Sequence, residues 1–283
     1  MKVAMISEHA DPLATVGGVD AGGQNVHVAG LAAALAALGH QVTVYTRRTA
    51  PGGPASTFPA PGVTVERVPA GPAEQVPKDA LLDHMPAFAE YLARRWAADR
   101  PDVAHAHFWM SGQAALTAAA GPGVPVVQTF HALGTVKRRW QGTADTSPPS
   151  RLAVERDIGR RADAIIATCT DEVTELAAMG VPAGRVTVVP CGVDLALFHP
   201  DGQAAPRAGR GDEALILSVG RLVPRKGLDT AVQALRHVPG ARLIVAGGDP
   251  DDGEAVRLRA LAAAAGLRDR VDFVGSVARA LVP

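Results

Sequence analysis

The chain opens with a strand, a glycine-rich loop and a helix: residues 2–7 read KVAMIS, residues 16–25 read VGGVDAGGQN, and residues 26–38 read VHVAGLAAALAAL. The first segment is a short apolar run typical of a buried strand. Valine and leucine recur at helical spacing through the third segment, and Gly39 follows as a C-terminal cap. This order predicts an open parallel sheet whose ligands bind at the carboxyl ends of its strands.

The alternation of strands and helices continues along the chain. Further strands are predicted at residues 41–46, 63–68, 103–106, 124–129, 164–167, 185–189, 214–219, 242–246 and 271–274. Further helices are predicted at residues 78–98, 112–120, 151–161, 171–179, 228–236 and 254–265. Residues 51–61 are rich in proline and glycine and are predicted to be a loop. The repeated units predict an α/β fold with mostly parallel sheets covered by helices on both faces.

A change in composition divides the chain in two. Residues 199–213 combine proline, glycine and polar residues, which is typical of a linker. We therefore predict an N-terminal Rossmann-like lobe over residues 1–200, a linker over residues 201–213 and a C-terminal lobe over residues 214–283. The second lobe has few predicted strands, whereas a doubly wound sheet commonly has about five or six, so we expect this lobe to be incomplete.

Size and charge exclude several classes of function. The chain has 283 residues, 47% of them hydrophobic, which is enough for two domains with substantial cores. Its formal net charge is zero, which argues against nucleic-acid binding through a basic face. No apolar run reaches the roughly 18 residues of a membrane span, and the apolar start is too short for a signal peptide. A cytoplasmic location is expected.

The glycine-rich loop before the first helix is the first candidate binding element. Gly22 and Gly23 allow the backbone to approach a ligand closely, and they precede a helix N-terminus whose free N–H groups favour an anion. Gln24 and Asn25 add side-chain donors. The alternative is a flexible surface turn. No G-x-G-x-x-G motif is present in this loop, which argues against a nicotinamide dinucleotide.

The second candidate is the loop at residues 220–227, GRLVPRKG, which again lies between a predicted strand and a predicted helix. Gly220 allows close backbone approach. Arg221 offers a planar fork of donors and Lys226 a compact positive charge, a pair suited to a diphosphate. These cations would also stabilise a diphosphate leaving group without a metal. The alternative is a solvated basic turn.

Histidine and aromatic residues follow two further predicted strands. Residues 105–109 read HAHFW, and the aromatic pair is interpreted as a pocket wall. A metal at His105 and His107 is disfavoured, because alternate strand residues face opposite ways and no third ligand is evident. His131 follows the next strand and is a candidate to hydrogen-bond a sugar hydroxyl, with a core or capping histidine as the alternative.

Two cations of the first lobe are further candidates. Lys78 opens a predicted helix, where the helix dipole disfavours a cation, so a binding role is weighed against simple solvation. Arg151 and Glu155 are four residues apart on a predicted helix. A surface ion pair explains them unless they face a binding site.

Several motifs taken together resemble one family of retaining glycosyltransferases. The motifs are residues 22–28 (GGQNVHV), 107–112 (HFWMSG), 189–194 (VPCGVD), 198–200 (FHP), 218–222 (SVGRL) and 226–227 (KG). They resemble the family that includes sucrose synthases, sucrose-phosphate synthases and the inositol-phosphate N-acetylglucosaminyltransferase of mycothiol synthesis. The resemblance runs along nearly the whole chain. It is specific for the family and not for one substrate.

This resemblance implies two Rossmann-like lobes of the GT-B type, with donor and acceptor bound between them. The residues that it assigns to catalysis are His131 at the sugar and Arg221 with Lys226 at the diphosphate. Gly23 is implied to lie near the donor phosphates. The donor-binding residues are then Gly22, Gly23, Gly220, Arg221 and Lys226. The implied acceptor contacts are Asn25, Lys78, Phe108 and Arg151.

The reaction implied is transfer of a hexosyl group from a nucleotide diphosphate sugar to an acceptor hydroxyl with retention of configuration. UDP-sugars are favoured through the resemblance, and Lys78 with Arg151 suggests a phosphorylated acceptor. The leaving diphosphate assists removal of the acceptor's proton, and no covalent carboxylate nucleophile is required. No metal or other cofactor is expected. Small molecules are the expected partners, with a homodimer left open.

The chain departs from the family pattern in its second lobe. Family members carry a glutamate, seven residues and a second glutamate there, which contact the donor sugar and the nucleotide ribose. No such pair occurs in the right context before Pro283. We therefore expect little or no transferase activity from the chain as it stands. The alternatives are a sugar-nucleotide-binding module without chemistry, and another GT-B enzyme such as a sugar-nucleotide epimerase.

Overall fold

The structure is a computed structural model that describes residues 1–14, 22–201, 214–249, 251–278 and 281–282. The described chain divides into two compact units, the first ending at Gly192 and the second beginning at Val193. Most of the predicted linker, from residue 202 onward, lies outside the described residues.

The first unit alternates strands and helices in the predicted order. Its strands are β1 (Lys2–Ile6), β2 (Gln41–Arg47), β3 (Ser56–Ala60), β4 (Val63–Val68), β5 (Val103–His107), β6 (Val126–Thr129), β7 (Ala164–Ala167) and β8 (Val186–Val188). Its helices are α1 (Gly23–Ala37), α2 (Met85–Ala98), α3 (Trp109–Ala119), α4 (Gly134–Gln141), α5 (Arg151–Arg161) and α6 (Thr170–Ala178). Short 3₁₀ segments, one of them at Lys78–His84, join these elements.

The strands of the first unit form one sheet in the order β3-β4-β2-β1-β5-β6-β7-β8, parallel except where β3 meets β4. Alternate residues of β1 enter two different cores, because successive side chains of a strand point to opposite faces. Val3 and Met5 pack with residues of α1, whereas Ala4 and Ile6 pack with residues of α2 and α3. The predicted parallel sheet with helices on both faces is confirmed.

Three local predictions are wrong. Residues 51–61 are not all loop, since β3 pairs with β4 as an antiparallel edge strand that accommodates Pro59. The predicted helix at 78–98 begins as the 3₁₀ segment, and the α-helix starts only where Pro86 occupies its first turn. Helix α4 was not predicted, because its sequence GTVKRRWQ carries few apolar residues to set a helical period.

The second unit contains a parallel sheet in the order β11-β10-β9, formed by β9 (Ala214–Val219), β10 (Ala241–Ala246) and β11 (Val271–Gly275). Helices α7 (Leu228–Ala234) and α8 (Gly253–Ala264) pack with β10 in its core. β9 is an edge strand, and its apolar residues Leu215 and Leu217 are more than half exposed, at 52% and 56%. Among the described residues, no helix has the length and apolar character needed to cross a membrane.

Candidate active site

The carboxyl ends of β1, β5 and β6 lie side by side, because β1 pairs with β5 and β5 with β6. The strand order reverses direction between β1 and β5, which is the position where open α/β sheets bind ligands. Phe108 after β5 has a φ of 82°, and His131 after β6 has a φ of 59°. Positive φ is uncommon for residues other than glycine and concentrates at functional sites. This edge is the candidate site of the first unit.

Two cations converge on the ring of Phe108. The Nζ atom of Lys78 lies 4.6 Å from the ring centroid, and the Cζ atom of Arg151 lies 5.2 Å from it. The ring of His9 meets the same phenyl group edge-on at 4.8 Å. Cation–π attraction of this kind stabilises positive charge against an aromatic face. The structure therefore brings together three of the predicted acceptor residues, namely Lys78, Phe108 and Arg151.

The environment of Lys78 disfavours the charged form of its side chain. Burial, followed by repulsion from Arg151, lowers the pKa of its ammonium group. Within the described part of the chain, Lys78 forms no ion pair with a carboxylate. Asp79 and Glu8 offset part of this shift from a distance. A largely desolvated cation beside a second cation is stabilised further when an anion binds.

Arg151 is held by the protein itself. Its Nε donates to Glu155 Oε1 at 2.7 Å, and its Nη2 donates to the carbonyl oxygen of Ala132 at 2.7 Å. Glu155 also accepts the backbone N–H of Gly134 at 2.9 Å, so the pair ties α5 to the start of α4. The predicted surface ion pair is wrong as to exposure, because Arg151 and Glu155 are both buried. Burial raises the pKa of Glu155, and Arg151 opposes that shift.

The start of α1 is built around Asn25. Gly22 donates its backbone N–H to Asn25 Oδ1 at 3.0 Å, and Asn25 Nδ2 donates to the carbonyl oxygen of Asp11 at 2.8 Å. Asn25 is buried and caps the helix, so its predicted contact with an acceptor stays a prediction. A Cβ at Gly22 or Gly23 would meet nothing within 4 Å, which leaves open space beside the helix N-terminus. Residues 15–21 of the glycine-rich loop lie outside the described residues.

Histidines from three elements meet beside Phe108. His107 Nδ1 and His131 Nε2 are 2.9 Å apart and share a hydrogen bond, and the ring of His27 lies 5.1 Å from that of His131. His105 hydrogen-bonds Thr129 Oγ1 through Nε2 at 2.9 Å. Burial, followed by the charge of His27, lowers the pKa of His131 to about 3. The rings are therefore neutral at pH 7, and His131 can donate or accept a hydrogen bond but does not carry a charge.

A buried carboxylate completes this edge of the sheet. Glu8 follows β1, is fully buried, and accepts a hydrogen bond from Ser111 Oγ at the start of α3. Its other oxygen, Oε1, lies 2.7 Å from His9 Nδ1. Because His9 also contacts Phe108, Glu8 fixes one wall of the candidate acceptor pocket.

The predicted diphosphate loop of the second unit lies where the sequence places it, between β9 and α7. Gly220 donates its N–H to the carbonyl oxygen of Ala246 at 2.9 Å, next to Gly247, whose φ is 126°. A Cβ at Gly247 would lie 2.0 Å from Gly220 O, so this close approach of two strand ends requires glycine there. Lys226 is exposed, and Arg221 is partly exposed. Their joint contact with a diphosphate stays a prediction.

Comparison with known proteins gives the family. Residues 22–192 match the family described as Glycosyl transferase 4-like domain, and residues 203–283 match the family described as Glycosyl transferases group 1. The chain belongs to the glycosyl transferase 4-like family. The chain is 41% identical to the D-inositol 3-phosphate glycosyltransferase of Acidothermus cellulolyticus, over 96% of its own length, and spans 65% of that protein's length.

Solved structures agree with the family. The sucrose-phosphate synthase of Thermosynechococcus elongatus is similar with a TM-score of 0.87 and 35% identity, covering 99% of this chain and 71% of that one. Anabaena HepE, solved in complex with UDP-glucose, has a TM-score of 0.68 at 18% identity, covering 99% of this chain and 70% of that one. The fold is that of the GT-B glycosyltransferases, as predicted.

Some residues of the candidate site were not predicted from the sequence. Glu8 could have been found by the same reasoning that selected Phe108, since it directly follows a buried strand at the same sheet edge. The position of His27 in the site was not predictable, because the sequence of an alanine-rich helix does not show which residues a single polar side chain will contact. The expectation that His107 lacks further ligand partners is wrong, since His27 and His131 both lie beside it.

Proposed function

We propose that the protein transfers a hexosyl group from a nucleotide diphosphate sugar, favouring UDP, to a hydroxyl of a phosphorylated acceptor with retention of configuration. The pairing of Lys78 with Arg151 over Phe108, in a chain of this family, carries the proposal. A phosphate would neutralise Lys78 where no carboxylate does. The relative from Acidothermus cellulolyticus is named for a phosphorylated polyol, which supports an acceptor of that class.

In this proposal the second unit supplies the donor diphosphate site. Arg221 and Lys226 stabilise negative charge as the bond between sugar and diphosphate breaks, so no divalent metal is invoked. In the first unit, the open space beside Gly22 and Gly23 leaves room for a phosphate to approach the backbone. Anabaena HepE was solved with UDP-glucose, which supports UDP as the nucleotide to test first.

His131 acts at the sugar in this proposal. Its hydrogen bond with His107 fixes the ring orientation, so that its other nitrogen can meet a sugar hydroxyl as a neutral partner. The leaving diphosphate takes the proton of the acceptor hydroxyl on the face where the new bond forms. The diphosphate leaves from the same face of the sugar that the acceptor hydroxyl attacks. This accounts for retention of configuration without a covalent intermediate.

Nucleotide binding tests the donor half of the proposal. We expect UDP to raise the melting temperature of the chain more than GDP or ADP at equal concentration, because a ligand that binds only the folded state stabilises it. Arg221→Ala and Lys226→Ala should each remove most of the shift. Arg236→Ala is the matched control, since it removes an exposed cation of the same unit outside the loop. An unchanged shift in both loop variants would remove them from the site.

Turnover tests the chemistry. The chain is given radiolabelled UDP-sugar with inositol phosphate or with inositol, and product is separated and its anomeric configuration determined by NMR. Product from the phosphorylated acceptor with retained configuration supports the proposal. Nucleotide binding without any transfer would agree with the expectation of little or no activity and would favour a binding module for this chain. Inverted product would contradict the mechanism.

A further inference from the structure

Three histidines from separate elements form a cluster at the edge of the first sheet. His27 lies on α1, His107 ends β5, and His131 follows β6. One ring nitrogen from each lies within 4.8 Å of the others. We propose that His27, His107 and His131 form a binding site for a transition-metal ion of the Zn²⁺ or Co²⁺ class. Glycosyl transfer as proposed above does not use such an ion.

The spacing of the rings fits a metal centre. The ring centroids of His27 and His107 are 5.6 Å apart, those of His27 and His131 5.1 Å, and those of His107 and His131 5.2 Å. Three imidazoles bound to zinc at ~2.1 Å in tetrahedral geometry have centroids roughly 5 Å apart. The spacing of the three rings therefore matches that of a three-histidine centre. The hydrogen bond between His107 and His131 would be replaced by two metal–nitrogen bonds.

The chemical state of the ligands also fits. Burial, as the largest cause, lowers the pKa of all three histidines, so each offers a lone pair at neutral pH without first losing a proton. The buried Nε2 of His107 has no hydrogen-bond partner in the structure. Because Nε2 makes no hydrogen bond, turning the His107 ring toward an ion sacrifices only the hydrogen bond of Nδ1 with His131. A donor set made only of imidazole favours zinc, cobalt, nickel and copper over magnesium or calcium.

His105 does not belong to the ligand set, although its ring lies 4.1 Å from that of His107. Its Nε2 is engaged with Thr129 Oγ1, and its ring packs against that of His107 at an interplanar angle of 37°. Three protein ligands leave a fourth position for water or another small ligand. The cluster therefore resembles an open metal centre more than a closed structural one.

Metal binding has a consequence that rests on the proposed function. A bound ion would replace the hydrogen bond with His107 that fixes the ring of His131. It would also place a positive charge beside the sugar, where positive charge develops as the bond to the diphosphate breaks. Zn²⁺ is then an inhibitor of transfer, and removal of the metal restores activity. Binding itself does not depend on this consequence, so the two can be tested apart.

The decisive experiment titrates untagged, metal-free protein with Co²⁺ and follows the visible d–d absorption of tetrahedral cobalt, then displaces the cobalt with Zn²⁺. We expect saturation at one equivalent. His27→Gln should weaken binding at least about tenfold, whereas His237→Gln, an exposed histidine of the second unit, should not change it. Circular dichroism establishes that His27→Gln is folded.

Two results would overturn the site. One is the absence of any tetrahedral cobalt spectrum at one equivalent. The other is equal affinity of His27→Gln and His237→Gln for Co²⁺. Where turnover is measurable, the Zn²⁺ concentration for half inhibition, relative to each variant's own uninhibited rate, should rise in His27→Gln. Failure of the proposed transfer reaction would leave the cobalt titration unaffected, so the two failures are distinguishable.

Discussion

Lys78 is the residue on which the acceptor class depends. Its Nζ lies 4.6 Å from the centroid of Phe108 and is repelled by the guanidinium of Arg151. Asp79 and Glu8 attract it, but among the described residues it forms no ion pair with either. Arg151 already donates hydrogen bonds to Glu155 and to a backbone carbonyl oxygen. Lys78 is therefore the side chain that we expect to bind an anion. Any preference for a phosphorylated acceptor should therefore depend on Lys78 more than on its neighbours.

The first prediction concerns Lys78→Gln. We expect this change to weaken the phosphorylated acceptor at least about tenfold, as a rise in KM or Kd, because one charge-assisted contact is lost. Affinity for the unphosphorylated acceptor should change little. Isothermal titration with inositol phosphate and inositol measures both, and Lys2→Gln, which removes an exposed lysine paired with Asp99, is the control. Equal losses for the two acceptors would contradict a phosphate contact.

The second prediction concerns the stability of the histidine cluster in acid. The ordinary histidine pKa is 6.5, and burial lowers it to about 4 in His105 and to about 3 in His131. The unfolded chain thus binds more protons than the folded chain between these values. Stability is complete above pH 6.5 and falls as the pH drops toward 4, by on the order of 1 kcal/mol per histidine per pH unit.

Urea unfolding at pH 7 and pH 5 measures this loss. We expect the midpoint to fall with pH and the slope against urea to stay constant, since the same surface is exposed. Exposed His237→Gln should behave as the unaltered chain does. A free energy of unfolding that does not change over this range would show that the rings take up protons in the folded state.

At the scale of the elements, strands rich in apolar residues were predictable from the sequence, and strands poor in them were not. β4, β7 and β9 have the predicted boundaries, because a short apolar run between glycine, proline and charged residues fits little else. β3 gave no local signal, since it is largely exposed and is held by its pairing with β4. The hydrophobic periodicity of a segment does not show which other segment it will pair with.

The candidate site was predictable where it depends on strand ends. Phe108 and His131 were selected because they follow strands, and the structure brings them to one edge. The burial of Arg151 and Glu155 was not predictable from their spacing. Residues four apart on a helix suggest an exposed ion pair, but the face of α5 that carries these two is buried. His27 reaches the site through the packing of α1 against the sheet, which is a tertiary property.

The third prediction concerns how α3 packs on β6. A Cβ at Gly112 would lie 2.2 Å from Gln128 Oε1, while Gln128 Nε2 donates to the carbonyl oxygens of Phe108 and Thr129. Gly112→Ala should therefore displace the side chain that supports the Phe108 backbone, and should cost about 1–3 kcal/mol in denaturant unfolding.

The matched control is Gly30→Ala in α1, where an added Cβ meets nothing within 4 Å. This change should stabilise the chain by about 0.5–1 kcal/mol, because alanine has the higher helix propensity. Opposite signs at the two helical glycines would establish that packing against Gln128, and not backbone conformation, keeps residue 112 a glycine. Two changes of the same sign would contradict that account.

At the scale of the whole molecule, the two units differ in how completely their sheets are covered. β1 in the first unit has a strand on each side and a helical layer on each face. Among the described residues, β9 in the second unit pairs on one side only, and its apolar residues are exposed: Leu215, Ile216, Leu217 and Val219. An exposed apolar edge strand is a template for pairing with another chain.

The last prediction follows from that edge. Leu217→Lys should slow concentration-dependent aggregation of the chain, measured by light scattering, because a lysine on an edge strand opposes pairing between molecules. Val256→Lys is the control, since it adds the same charge at a similarly exposed position of α8. If both variants aggregate equally slowly, net charge and not the β9 edge governs solubility. If Leu217→Lys instead lowers the melting temperature by several degrees, β9 is covered in solution, and the edge belongs to an interface that a lysine disrupts.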